Sequence, residues 1–396
     1  MPVPPGNRVG MTTTDDAPPI RISGPAGLLA AVPPMLGFHP TNSLVLMCLS
    51  GGRRRVGPVA RVDLPTGHDR AMAAHLTGHA RNHADEVVVI SYQNSRRRPP
   101  LLDDLLAELA KAGIDVMDAI AVRGGRARPA LNAAMERAHP GIPVPEPDDP
   151  QVSALTAAGA LAGRSVLADR DQLRQSIAGP TGRRLRQAER AIDEAAAGRL
   201  PAPGPRPALP DTVSAATDPE HAAEYVLRRG RVPGPVVVLT DRALEQVAAG
   251  GQVAPEVAAA LAVVLTDILV RDAVLALAIV ELERPWLPML IACARWTPDA
   301  IAPPLCSVLA MVAYRHGDGA LAQIAVDRCL AAEPGHPLAH LMIAIMSAGI
   351  HPEELERIAM GTGCGADGDP DDCRATGYPG SGAGTVDGTG ARPQRQ

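Results

Sequence analysis

The sequence holds one lysine, one phenylalanine and no C-x-x-C pair. Each scarcity removes a class of chemistry. A phosphate-binding P-loop needs G-x-x-x-x-G-K-[ST], and the sole Lys111 sits instead in Leu-Ala-Lys-Ala-Gly. Serine–lysine hydrolases and Schiff-base enzymes would have to use that same residue. Aromatic residues are 2% of the chain, so platforms on which bases could stack are almost absent. The formal net charge is −5, whereas dedicated nucleic-acid binders carry a basic excess, so no nucleic-acid partner is expected. The cysteines (Cys48, Cys293, Cys306, Cys329, Cys364 and Cys373) lack metal-ligand spacing and read as free thiols, mostly core-filling. No apolar run reaches the ~18 residues of a membrane span. The first nineteen residues, polar and Pro-rich, have no basic start followed by an apolar core, so no secretory signal is expected. The expected location is the cytoplasm.

Glycine and proline are abundant, 38 and 40 of 396 residues. That is well above the usual ~12% and predicts long loops or unstructured ends. Residues 1–19 and 361–396 have almost no apolar content and are expected to be disordered. Between them, residues 20–150 read as an α/β domain. Strands are expected at Ile20–Ile22, Asn42–Leu49, Val56–Leu64, Glu86–Tyr92 and Asp115–Val122. Helices are expected at Pro25–Leu36, Asp69–Ala84 and Leu101–Ala112. Strands alternating with helices imply crossovers, hence a mixed, largely parallel sheet with one hairpin at 51–55. Residues 151–200 form a helical region with expected helices at 151–162, 169–178 and 181–197. The stretch 201–217, opening PAPGPRPALP, reads as a stiff linker. Residues 218–360 read as an all-α C-terminal bundle. Val257–Val280 is apolar nearly all round, which predicts one central buried helix.

Arginine placement is the main chemical signal. Arg96, Arg97 and Arg98 follow the strand Glu86–Tyr92; Arg123, Arg126 and Arg128 follow Asp115–Val122. With a right-handed crossover between them, both loops lie on the carboxyl edge of the sheet, where open α/β folds bind ligands. Guanidinium groups and a helix N-terminus there favour an anion such as phosphate. The Arg53-Arg54-Arg55 triplet falls at the opposite edge. The plain alternative is solvated arginine in a chain that uses almost no lysine.

Other constellations weigh less. His75, His79 and His83 recur at i, i+4 and i+8, but the outer two are about 12 Å apart at 1.5 Å rise, too far to share one ion. They are weak metal candidates; no metal and no cofactor is expected. His336 and His340 repeat the spacing. Asp267 and Arg271, one turn apart inside the apolar helix, are expected to be a buried ion pair. In the tail, Gly361-x-Gly363-x-Gly365 has no strand before it, and Asp367, Asp369 and Asp371 imitate only the start of a calcium loop.

Three stretches carry a resemblance. SGPAGLLAAVPPMLGFHPTNSLVLMCL (23–49), together with VRDAVLALA (270–278) and APPLCSVLAMVAYRHGDGALAQIAVDRCLAAEPGHPLA (302–339), resembles the actinobacterial domain of unknown function 4192 family. The match in order and spacing covers most of 20–358. The resemblance implies a cytoplasmic actinobacterial protein; no activity is established for that family, so no catalytic residue carries over. Many relatives have a Trp- and Cys-containing turn where this chain has RGGRARPALNAAMERAHPG, with neither residue. Residues 302–339 also resemble one tetratricopeptide unit, with Leu309 and Ala310, a Gly317-Asp318 turn, then Ala322, Cys329, Leu330 and Pro334. No second unit follows at a 34-residue offset.

The expected function is non-catalytic binding or scaffolding, with a protein partner on the C-terminal helices. The alternative is an enzyme or sensor of a phosphorylated or nucleotide-like small molecule at the carboxyl edge of the sheet. A ligand site would gather the arginine loops into one concavity, with an acid or histidine if it is an enzyme. A scaffold would expose a broad apolar patch.

Overall fold

The computed structural model describes residues 8–11, 20–52, 54–146, 148–161, 166–198, 232–350, 352 and 354. The expected linker at 201–217, the tail at 361–396 with its glycine and aspartate motifs, and Arg53 lie outside the described residues. So do most of residues 1–19. Arg8–Met11 of that stretch is not disordered as expected: it forms strand β1, paired antiparallel to β2 (Ile20–Ser23). The short segment alternates in strand fashion, and β2 gives it a hydrogen-bonding partner.

From β2 the chain enters α1 (Gly24–Leu36), then β3 (Ser43–Ser50) and β4 (Arg55–Asp63), which turn back on each other as a hairpin. Helix α2 (Arg70–His83) leads to β5 (Glu86–Tyr92), and α3 (Pro100–Lys111) leads to β6 (Asp115–Arg123). A second hairpin continues into β7 (Arg126–Pro129), followed by α4 (Ala133–Ala138) and β8 (Ile142–Pro143). The sheet order is β2-β1-β4-β3-β5-β6-β7-β8.

This order corrects the expectation of a largely parallel sheet. Among the described pairs only β5–β6, and a single bridge between β1 and β4, are parallel. The cause is the path of β4. It folds back on the outer side of β3, and α2 then carries the chain over β3 to β5 on the far side. β3 is left between two strands antiparallel to it. The crossover through α2 makes β4 and β5 parallel; it does not make them neighbours.

Both faces of the sheet are covered, which is why β3 and β5 read as unbroken apolar runs. Leu44 and Leu46 of β3, with Val87 and Val89 of β5, face Leu76 of α2 and Leu101, Leu105 and Leu109 of α3. The alternate residues Val45, Met47, Val88 and Ile90 face the opposite way and join a core that includes α1 and the C-terminal helices. Each fully buried Leu or Val of this kind contributes roughly 1.5–3 kcal/mol.

Helices α5 (Pro150–Leu161), α6 (Arg170–Ser176) and α7 (Gly182–Ala196) follow, then α8 (Gly234–Ala248) and α9 (Pro255–Val264). The expected single helix over 257–280 is two helices. Leu265 ends α9, Thr266 and Asp267 turn outward, and α10 begins at Ile268–Val280. The expected buried pair of Asp267 with Arg271 is corrected too. Asp267 is exposed and accepts hydrogen bonds from the Leu269 and Val270 amides, 2.8 and 3.3 Å away, as an N-cap. The Arg271 guanidinium instead donates twice to Asp272 Oδ1, at 2.9 and 2.8 Å. An aspartate before an apolar run caps more cheaply than it pairs in the core.

Helix α11 (Trp286–Ala294) is followed by α12 (Ala302–Arg315), α13 (Gly319–Ala332) and α14 (Pro337–Ala348). α12 and α13 pack on each other as a helical hairpin across Gly317-Asp318, where Gly317 has φ +74° and Asp318 accepts from the Leu321 amide. Arg328 of α13 ties this region together. Its guanidinium donates to the carbonyls of Ile177, Ala294 and Thr297 and to Asp299.

Candidate functional site

The strongest site candidate is built on the β6–β7 hairpin. Gly124 and Gly125 have φ +57° and +69°, the left-handed pair that a two-residue type I′ turn requires. That turn sets Arg123 opposite Arg126, and Ala121 opposite Arg128. Directly opposed residues share a face, and so do residues two apart along a strand. Arg123, Arg126 and Arg128 therefore project from one side of the hairpin, while Val122 and Ala127 face the other. Together with Gln93, Asn94, Arg96 and Gly124 they line an open concavity of about 870 Å³.

Backbone carbonyls orient two of these arginines. Arg123 Nη1 donates to the Arg96 carbonyl at 2.8 Å. Arg126 donates through Nε to the Pro140 carbonyl at 3.1 Å and through Nη2 to that of Gly141 at 2.5 Å. Gly141 has φ +82°, and a Cβ there would meet the Ala127 carbonyl at 3.0 Å. Only glycine fits, so the seat for Arg126 depends on it.

The expected site residues divide. Arg96, Arg123 and Arg126 lie together on the concavity, with Arg128. Arg97 is exposed and does not line it. Arg98 is consumed by the fold: it donates to Asp103 at 2.8 Å, Glu136 at 2.7 Å and the Ala130 carbonyl at 2.9 Å. The N-terminus of α3 follows the Arg96–Arg98 loop. Pro99 and Pro100 hold its first positions without N–H groups, and Asp103 adds negative charge to its first turn. Gln93 and Asn94 were not singled out by the sequence. Their position just past a strand end was the available signal.

Among the described residues no group of three or more His, Cys, Asp or Glu is placed to hold an ion. His75 is exposed, while the His79 and His83 rings stack 4.8 Å apart. His336 caps α14, and His340 contacts the Pro334 carbonyl. Cys48, Cys293, Cys306 and Cys329 are buried free thiols. Burial pushes Cys306 up to about 11 and the other three up to about 12, so none is a poised thiolate. On the helical half, the adjacent Ile268 and Leu269 are 62% and 80% exposed. They are two side chains rather than a broad patch. Among the described residues no helix is long and apolar enough to cross a membrane.

The family model described as a domain of unknown function, DUF4192, matches residues 25–353. The chain belongs to the DUF4192 family. The DUF4192 match begins in α1 and includes the sheet from β3 onward, the arginine-lined concavity and the helical half. Neither a curated protein nor a solved structure matches this chain.

Proposed function

We propose that this DUF4192 chain is a non-catalytic binding protein whose ligand is a phosphorylated small molecule seated on the β6–β7 hairpin. One observation carries the reading: Arg96, Arg123, Arg126 and Arg128 line a single concavity, and among the described residues no carboxylate or imidazole lines it with them. Arginine stays charged at all working pH values, and its planar fork matches phosphate oxygens. A catalytic site would set an acid, base or nucleophile among these groups. Among the described residues the amides of Gln93 and Asn94 are the other polar side chains on the lining, and they suit recognition rather than proton transfer.

Thermal denaturation of the full chain with sodium pyrophosphate tests this. The melting temperature should rise with ligand; at a hundredfold excess over Kd the stabilisation is about 2.7 kcal/mol. Arg123→Ala and Arg126→Ala should each remove most of the rise. Arg97→Ala, outside the concavity, should retain it. If neither pyrophosphate nor orthophosphate moves the wild-type transition, the reading is wrong and the arginines are solvated loop residues.

A further inference from the structure

We infer that the ligand's recognised part is a linear chain of three or more phosphates, bound without its divalent cation. The inference rests on the anion-binding reading above and goes on to specify its chemistry. It starts from how the guanidinium groups are held. In the sheet order, β5 lies on one side of the hairpin and β8 on the other. Arg123 is tied toward the β5 side, through the Arg96 carbonyl. Arg126 is tied toward the β8 side, through the carbonyls of Pro140 and Gly141. The two heads are thus drawn apart rather than folded onto one point. Arg128 lies two residues beyond Arg126 on the same face, roughly 7 Å farther along the strand. Arg96 stands on the loop past β5. The four arginines are thus spread over one face of the hairpin, Arg96, Arg123 and Arg126 across the strands and Arg128 along β7, and a single phosphate can reach only part of this row. A chain of phosphates can lie along it with an oxygen pair for each fork.

Charge balance points the same way. Among the described residues Arg96 and Arg128 have no ion pair. Arg123 comes only to 3.9 Å from Glu136, whose carboxylate is already bonded to Arg98. Arg98 is shared by Asp103 and Glu136, so that cluster leaves one negative charge beside Arg123 and the four arginines present about three uncompensated charges. Orthophosphate would leave part of this charge unmatched, whereas a chain of phosphates carries at least as much negative charge as the arginines carry positive.

The lining also speaks against a metal-bridged ligand. Magnesium on a polyphosphate is normally held by one or two protein carboxylates as well as by phosphate oxygens. Among the described residues no carboxylate lines this concavity, and the oxygen-bearing side chains on it are the amides of Gln93 and Asn94. A magnesium complex would bring cationic charge against the arginine row without gaining a protein ligand. The free polyphosphate should therefore be the preferred form.

Calorimetric titration of the full chain with orthophosphate, pyrophosphate, inorganic tripolyphosphate and ATP, each with and without excess magnesium, tests the inference. Tripolyphosphate should bind at least tenfold more tightly than orthophosphate, and magnesium should weaken it. Arg128→Ala should cost tripolyphosphate roughly tenfold or more while leaving orthophosphate nearly unchanged, because only the longer anion reaches that end of the row. ATP and tripolyphosphate binding alike would place recognition in the phosphate chain, as inferred. ATP binding while tripolyphosphate does not would overturn it, since the nucleoside would then be what is recognised. Orthophosphate binding as tightly as tripolyphosphate would also overturn it, yet leave the anion site standing. Tight binding of the magnesium complex alone would refute the cation-free form. Failure of every phosphate species would remove the anion site itself.

Discussion

The two ends of one sheet carry similar arginine-rich turns and treat them in opposite ways. At the turn between β3 and β4, Arg54 meets Glu86 at the start of β5 with Nε and Nη2 3.0 and 3.1 Å from its two carboxylate oxygens. Asp85 beside it accepts from the Gly51 amide at 2.7 Å. At the other end, Glu136 and Asp103 are both bonded to Arg98, and Arg123 and Arg126 are oriented by carbonyls. A carboxylate cancels charge as it orients; a carbonyl orients and leaves the charge in place. In a chain whose basic residues are nearly all arginine, the composition of a turn therefore says little. What decides its chemistry is which oxygen the neighbouring element supplies.

The sharpest way to break this comparison is within the ligand-facing end. Arg98→Ala would leave Glu136, whose side chain is only 7% exposed, with no ion-pair partner nearer than Arg123 at 3.9 Å. Removing one partner of a buried pair typically costs about 3–5 kcal/mol. Urea denaturation should show a loss of that size, with pyrophosphate affinity per folded molecule unchanged. A stable Arg98→Ala protein that no longer binds would mean that Arg98 belongs to the ligand row and not to the fold.

A second substitution acts on the seat rather than the charge. Gly141→Ala forces a side chain into the left-handed region and against the Ala127 carbonyl. The expected loss of stability is about 1–3 kcal/mol. Because the Gly141 and Pro140 carbonyls hold Arg126, anion affinity should fall with it even though every arginine remains. Unchanged affinity would show that the carbonyl seat does not matter.

These two cases mark how far the sequence could be read. Helix α3 is plain in Leu101, Leu102, Leu105 and Leu109, whose spacing makes one apolar stripe, and that stripe is fully buried. Strands β3 and β5 are plain in their apolar runs. The β6–β7 hairpin was legible in principle, since Gly-Gly between alternating residues is a turn signal. Its four-residue second strand, RARP, has too little apolar content to stand out. Asp267 was misread because an all-apolar context suggests a core, whereas Thr266-Asp267 before a new apolar run is equally a cap. Two features could not be read locally at all. The antiparallel neighbour of β5 depends on which side of β3 receives β4. The neutralisation of Arg98 depends on Glu136, nearly forty residues later, delivered by α4.

The opposite end of the sheet should answer to protons rather than phosphate. Helix α2 finishes there with His79 and His83, whose Nε2 atoms are buried without a hydrogen-bond partner. The pair packs against Gly349, where a Cβ would stand 2.1 Å from His83 Nε2. Burial first, then the neighbouring His83 and His75, holds His79 down at about 4, against an ordinary 6.5. The folded state thus refuses a proton that the unfolded chain accepts. Its contribution is complete above about pH 6.5 and is lost as pH falls from there toward about 4. The melting temperature should drop by a few degrees across that window, and His79→Gln should flatten the slope. A slope unchanged by His79→Gln would assign the acid sensitivity elsewhere.

The smallest effect is expected at the paired arginine itself. Arg54 and Glu86 form a two-pronged ion pair, but their side chains are 34% and 29% exposed. Water and salt screen such a pair, and exposed pairs contribute about 0–1 kcal/mol. Arg54 also sits at φ +50°, a conformation that alanine tolerates no better, so the backbone cost is not relieved by the change. Arg54→Ala should therefore shift the unfolding midpoint slightly, and less at high salt. It should leave anion binding intact, because the residue stands at the far end of the sheet from the β6–β7 hairpin. That combination separates the two ends: Arg123→Ala should cost affinity and almost no stability, Arg54→Ala a little stability and no affinity. If Arg54→Ala weakened pyrophosphate binding as much as Arg123→Ala does, the contrast between a carboxylate-cancelled and a carbonyl-oriented arginine would fail as an account of which end of the sheet is the site.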